Sequence, residues 1–82
     1  EGRVTRVSDR LSLIKINKGT ADGVDAGQFF DVFAVKPDGS VGSPVARARV
    51  SSLKSDEAAL TVLEYYQEVW IEEGFVVKRT LR

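Results

Sequence analysis

Twelve basic and twelve acidic side chains among 82 residues give the chain a formal net charge of zero, so bulk attraction to nucleic acid or an anionic membrane is not expected. The chain contains no cysteine and no histidine, which excludes a disulfide framework, a thiolate nucleophile, a Cys/His zinc site and a histidine general base. The length suits one small domain. We expect residues 1–82 to form a single β-barrel domain that is a fragment of a larger protein.

The first two predicted strands precede a glycine-rich segment. Residues 3–7 are rich in β-branched side chains and predict a first strand, followed by a short polar break at 8–10. Residues 11–17 predict a second strand, in which Ile14 and Ile16 face the core.

A loop with glycines at every fourth position follows the second strand. This spacing predicts tight turns with positive φ at more than one glycine. The only large apolar side chain in the loop is expected to pack inward, and the asparagine at its start is expected to hydrogen-bond the loop backbone. Together with a later glycine before the last strand, the predicted structural residues are Asn17, Gly19, Gly23, Val24, Gly27 and Gly74.

The third strand, residues 28–35, has two faces. Strand alternation puts Phe30 and Val32 in one row and Phe29, Asp31 and Phe33 in the other. The aspartate indicates that the second row is at least partly exposed. Two alternatives follow: the two phenylalanines form an outward apolar patch, or another segment of the domain covers them.

The strongest turn signal is Lys36-Pro37-Asp38-Gly39, which predicts a type I turn with a following bulge, closing a hairpin. Pro44 lacks an N–H and is therefore expected at an edge or a bulge.

The second half of the chain predicts three further strands. Residues 45–51 alternate between outward arginines and small inner side chains, which suit a tight barrel interior. Residues 58–63 predict the fifth strand and 75–79 the sixth. Between them, residues 65–74 are interpreted as an irregular connector with at most one helical turn, in which Trp70 and Ile71 are buried.

Six short strands predict an all-β fold, either a barrel or a sandwich. Of these we expect a small six-stranded, partly open β-barrel. Its predicted core comprises Val4, Val7, Ile14, Ile16, Val24, Phe30, Val32, Ala48, Val50, Leu60, Val62, Ile71 and Val76.

The glycine loop also carries a family resemblance. The run Ile16-Asn17-x-Gly19 … Gly23-Val24-x-x-Gly27-x-x-Phe30-x-Val32, with a late Ile71-x-x-Gly74, is similar to a signature of the C-terminal domain of flagellar assembly protein T and related bacterial envelope proteins. The resemblance implies an SH3-like β-barrel that acts as a non-enzymatic interaction or assembly module. It also implies an extracytoplasmic location, in the periplasm or cell envelope.

The candidate interaction surface consists of Phe29, Phe33, Arg47, Arg49 and Trp70. The expected partner is a protein, either a neighbouring domain of the parent chain or another envelope protein, with weak homo-oligomers as a further state. The loop has neither a phosphate-binding glycine pattern nor calcium-loop spacing, and we expect no catalytic residue, cofactor or metal. The alternative function is nucleic-acid binding through the aromatic and arginine face, against which the acidic stretch from 56 to 73 argues.

Overall fold

Six β-strands make up the computed structural model, which describes residues 2–8 and 12–80. The strands are β1 (Gly2–Val7), β2 (Leu13–Ile16), β3 (Phe29–Val35), β4 (Val41–Leu53), β5 (Ala58–Tyr65) and β6 (Val76–Arg79). A 3-10 helix, Thr20–Asp22, lies between β2 and β3. The strands close into a barrel in the order β1-β2-β5-β4-β3-β6, and every neighbouring pair is antiparallel.

The predicted all-β class and six-stranded barrel are confirmed, but the barrel is closed where we expected it to be partly open. Closure occurs between the first and last strands, where Gly2 pairs with Val77 and Arg3 with Val76. The Val4 N–H donates to the Phe75 carbonyl at 2.8 Å, which extends this seam. Alternation within a strand indicates its faces but not the strand that it meets across a distant edge, so closure could not be inferred from the pattern.

The hairpin between β3 and β4 forms where the turn signal predicts it. The Gly39 N–H donates to the Lys36 carbonyl and the Lys36 N–H donates to the Ser40 carbonyl, both at 2.8 Å. Gly39 has a φ of 87°, the left-handed conformation that favours glycine. Pro44 stands opposite Phe33 between two register shifts, so its predicted place at a bulge is confirmed. Because β4 continues through this bulge, it is longer than the predicted 45–51.

Other predicted boundaries differ by one or two residues. The second strand is shorter than 11–17, and residues 9–11, which include part of the predicted break and the start of that strand, lie outside the described residues. The sixth strand begins at Val76 rather than at 75, and the fifth continues to Tyr65 rather than ending at 63.

The barrel interior matches most of the predicted core. Eleven of the thirteen predicted residues are buried, while Val7 and Val62 are half-buried and pack against the core. Among the residues that the structure describes, five buried side chains were missed: Val45, Ala46, Ala58, Phe75 and Val77. The bulge beside Pro44 explains why the adjacent Val45 and Ala46 are both buried, since a bulge interrupts strict alternation.

The loop between β2 and β3 is a structural corner pinned by Val24, which is buried as expected. Gly23 and Gly27 have φ values of 86° and 76°, so the predicted positive φ at more than one glycine is confirmed. Gly19 differs, because its backbone is extended. Its need for glycine arises from close packing: a Cβ built at Gly19 would lie 2.2 Å from the Lys54 carbonyl oxygen.

Two predictions about individual side chains are wrong. The Asn17 side chain does not bond the loop backbone; its Oδ1 accepts the Arg3 N–H at 2.9 Å and so ties β1 to the end of β2. Trp70 is not buried, because 67% of its surface is exposed, whereas the next residue, Ile71, is buried as predicted. The connector after β5 contains no helical turn, and of these two neighbours Ile71 is buried while Trp70 is exposed.

Candidate protein-contact site

The outer face of β3 carries aromatic side chains that remain partly accessible. Phe30 and Val32 are buried in the barrel, whereas Phe29, Asp31 and Phe33 lie in the outward row. Phe29 is 36% exposed and Phe33 is half-buried. Of the two alternatives left by the sequence, partial exposure of Phe29 on the outer face is the one observed.

Strand pairing places the arginines of β4 beside this row. Arg49 pairs with Phe29, and Arg47 pairs with Asp31. The guanidinium carbon of Arg47 lies 4.6 Å from the centroid of the Phe29 ring, and that of Arg49 lies 5.5 Å from it. Cations within about 6 Å of an aromatic centroid are attracted by the ring, by roughly 0.5–1 kcal/mol at exposed sites. The structure thus brings three of the five candidate residues into one cluster.

The neighbouring strand β6 adds a cation that sequence reasoning missed. Lys78 pairs with Asp31 across β3, and its Nζ lies 5.5 Å from the centroid of the Phe33 ring. The contact depends on pairing between strands more than forty residues apart in the chain, which local alternation does not predict. We define the basic face as Phe29, Phe33, Arg47, Arg49 and Lys78.

The cations of the basic face have few internal partners. The ion pairs between described residues join Lys15 and Lys54 to Glu57, at 3.8 and 3.6 Å, away from this face. Arg49 Nε donates to the Gly27 carbonyl at 3.1 Å. Arg47 Nε is buried without an acceptor among the described residues, and the guanidinium carbon of Arg47 lies over the Phe29 ring. An unsatisfied buried donor lowers the free energy of unfolding. The arginine nevertheless lies over the aromatic ring.

Acidic side chains limit the positive charge of this face. Asp31 lies on β3 between Arg47 and Lys78 in the pairing register, and Glu64 on β5 pairs with Arg47 from the other side. The face is therefore a mixed surface with an excess of cations, rather than a continuous basic stripe.

The last candidate residue, Trp70, belongs to a different part of the surface. Its ring meets the Tyr65 ring edge to face, with centroids 6.2 Å apart and planes at 78°. The two rings, with Gln67, Glu68 and Val69, line an open groove of about 450 Å³. We call this the acidic groove. Burial raises the pKa of the Tyr65 hydroxyl.

Within residues 2–8 and 12–80, no cluster of three or more Asp or Glu side chains is arranged to hold a metal ion. No helix in the described part of the chain has the length and apolar character needed to cross a membrane.

No protein-family model matches the sequence, and no curated protein is significantly similar to it. The geometry of the basic face is therefore the basis on which a function is assigned.

Proposed function

We propose that this domain is a non-enzymatic module for protein–protein or interdomain contact, built on an SH3-like barrel, and that the basic face is its contact surface. The observation that carries the proposal is the partly exposed Phe29 ring with two arginines over it and no ion pair to either guanidinium among the described residues. Aromatic residues and arginine are enriched in the centres of protein interfaces and among their energetic hot spots.

The arrangement of the basic face also lowers the cost of binding. Stacking on Phe29 restricts Arg47, and the bond to Gly27 restricts Arg49, so less side-chain entropy is lost when a partner docks. The ring supplies apolar contact area, and the guanidinium groups retain donors for carboxylates. A partner segment that combines an apolar side chain with Asp or Glu fits this chemistry.

For the parent protein we propose an extracytoplasmic setting in the bacterial cell envelope. The support for this setting is the sequence resemblance of the glycine loop to envelope proteins related to flagellar assembly protein T.

Peptides selected for binding from a random display library serve as probes of the contact surface, whatever the natural partner is. We expect selected peptides to be rich in acidic and apolar residues and to lose at least about 30-fold in affinity for Phe29→Ser, since a hot-spot side chain contributes roughly 2 kcal/mol or more. The matched control is Leu13→Ser, because Leu13 is also an exposed apolar strand residue, 45% exposed, on β2. Affinity for this control should stay within about twofold.

The single Phe29 variant is a cleaner test than the double Phe29→Ser/Phe33→Ser variant. Phe33 is half-buried and pairs with the buried Val76, so its loss also removes packing. A native circular dichroism spectrum establishes that Phe29→Ser is folded. Peptides that bind Phe29→Ser and wild type equally would contradict the proposal, and unfolding of this variant would show that the ring belongs to the core.

Nucleic-acid binding is the second candidate, because guanidinium groups beside an aromatic ring are also typical of single-strand binding surfaces. Asp31 and Glu64 on either side of Arg47 and the zero net charge oppose it. Titration with a fluorescent single-stranded oligonucleotide at about 50 mM salt, where electrostatic binding is strong, decides between the two. Absence of binding there excludes nucleic acid as the ligand, and salt-sensitive binding that Arg49→Gln abolishes would replace the protein-contact proposal.

A further inference from the structure

A second surface of the molecule has the opposite charge to the basic face. The connector after β5, residues 66–75, has three exposed acidic side chains, Glu68, Glu72 and Glu73, and no lysine or arginine. Within this stretch, Tyr66 and Trp70 are 45% and 67% exposed. The acidic groove, which Glu68 lines together with the Tyr65 and Trp70 rings, therefore complements the basic face in charge and shares its aromatic character.

We propose that the acidic groove of one copy of this chain binds the basic face of a second copy, head to tail. The inference rests on the proposed function of the basic face and identifies its partner as another molecule of the same domain.

The geometry of the groove suits an arginine side chain. Tyr65 and Trp70 form two walls at 78° to each other, and Trp70 is the more exposed. A planar guanidinium can stack on an exposed indole ring, the best of the aromatic side chains for a cation, while donating to the nearby Glu68 carboxylate. Lysine, a compact charge without a planar face, fits such a site less well.

Neither side of this contact needs to break an internal ion pair. Glu68 and Arg49 have no ion pair with any described residue. The hydrogen bond of Arg49 to Gly27 uses Nε, which leaves the terminal guanidinium nitrogens as donors. Charge complementarity between desolvated patches contributes to specificity and to the association rate.

The contact is heterologous, because one copy contributes strands β3, β4 and β6 and the other contributes the end of β5 and the connector that follows it. In a pair, one molecule retains an unused basic face and the other retains an unused acidic groove, so further copies can add at either end. Sedimentation velocity should show a weight-average mass that rises with concentration and passes the dimer value between about 10 µM and 1 mM, the affinity range of weak contacts. Added salt should reverse the rise.

Charge reversal tests the pairing of the two surfaces directly. Arg49→Glu places an acid opposite Phe29 and Thr61, with no acidic residue directly across either strand pair, and Glu68→Arg lies in the exposed connector. Each variant alone should self-associate at least about tenfold more weakly than wild type, because like charges then meet. An equimolar mixture of the two should associate again, since each contact in it joins opposite charges.

Fluorescence provides a site-specific readout, because Trp70 is the single tryptophan of the chain. Its emission should change with concentration in wild type and on mixing the two variants, and should stay constant in either variant alone. Glu68→Gln is a milder change outside the strands and should also weaken association, which covers the case in which Arg49→Glu does not fold.

Wild type that remains monomeric at about 1 mM overturns the inference, as does a mixture that does not associate. Association that stops at two copies contradicts the head-to-tail arrangement. If Arg49→Glu weakens association and neither Glu68 variant does, the basic face does not bind the acidic groove of the second copy. None of these results decides the proposed function, which is tested separately by peptide binding to Phe29→Ser.

Discussion

Replacing Gly19 with alanine should destabilise the barrel more than the same substitution at any other glycine of the loop between β2 and β3, of the hairpin between β3 and β4, or of the connector after β5. A Cβ at this position would lie 2.2 Å from the Lys54 carbonyl oxygen and 2.7 Å from the Glu57 nitrogen, so the turn between β4 and β5 must move away. That movement strains two backbone hydrogen bonds, from Thr20 to the Lys54 carbonyl at 2.9 Å and from Ala21 to the Ser55 carbonyl at 3.0 Å.

The magnitude follows from these contacts. Forcing a methyl group into a well-packed site costs about 1–3 kcal/mol, and each weakened hydrogen bond adds about 0.5–1.5 kcal/mol. The sum is about 2–6 kcal/mol with a centre of about 4 kcal/mol, and the central value should lower Tm by about 16–32 °C in a domain of this size. Against a total stability of about 4–12 kcal/mol, the variant should be folded but only marginally stable.

Two other glycines serve as controls: one isolates the effect of a positive φ, and the other isolates the effect of replacing glycine with alanine. Gly39 has a φ of 87° but open space around its Cα, so Gly39→Ala should cost about 1 kcal/mol from backbone conformation alone. A Cβ at Gly42 would meet nothing closer than the Lys36 side chain at 3.5 Å, so Gly42→Ala should be nearly neutral. Urea unfolding gives the three free energies of unfolding. A Gly19→Ala variant as stable as Gly42→Ala would refute the close approach of the two turns.

Three further results are expected. Gly23→Val should lower the free energy of unfolding by roughly 1 kcal/mol or more, because φ at Gly23 is 86°. An unchanged Tm in a thermal melt would contradict the structural corner formed by the loop between β2 and β3. Leu60→Ala should cost about 2–5 kcal/mol and Leu63→Ala less than about 0.5 kcal/mol, since Leu60 is fully buried and Leu63 is 50% exposed; equal losses would show that the faces of β5 are misassigned. Hydrogen bonds from the Ser40 side chain and backbone lower the pKa of Asp38, so its stabilisation is present above the unfolded-state pKa and is lost as pH falls through the lower folded-state value. Ser40→Ala should raise that pKa in an NMR titration, and an unshifted titration would rule out the hydroxyl as its main cause.

Local chemistry accounts for what the sequence could predict. Alternation of side chains assigned Phe30 and Val32 to the interior and Phe29 to the outer face, because one face of each strand must be buried. The Pro37-Asp38-Gly39 turn was predictable for the same reason, since those residues satisfy the dihedral angles of the turn without help from elsewhere.

The missed features depend on contacts between distant segments. Lys78 joins the basic face only because β6 pairs with β3. The Asn17 Oδ1 accepts a hydrogen bond from the Arg3 N–H of β1, although the backbone groups of its own loop are closer in the sequence. Gly19 requires glycine because a turn 35 residues later packs on it. Trp70 was expected inside from the apolar pattern of the connector, whereas Val69 and Ile71 provide its apolar contacts with the core.

A map of backbone amide shifts in the ¹⁵N-labelled domain, recorded with and without a saturating selected peptide, tests the contact surface most directly. The account predicts that the largest shifts occur at residues 29–33 and 47–49 and at Lys78, the segments that form the basic face. Shifts concentrated around Leu13 on β2, with the amide of Phe29 unmoved, would contradict the proposed contact surface.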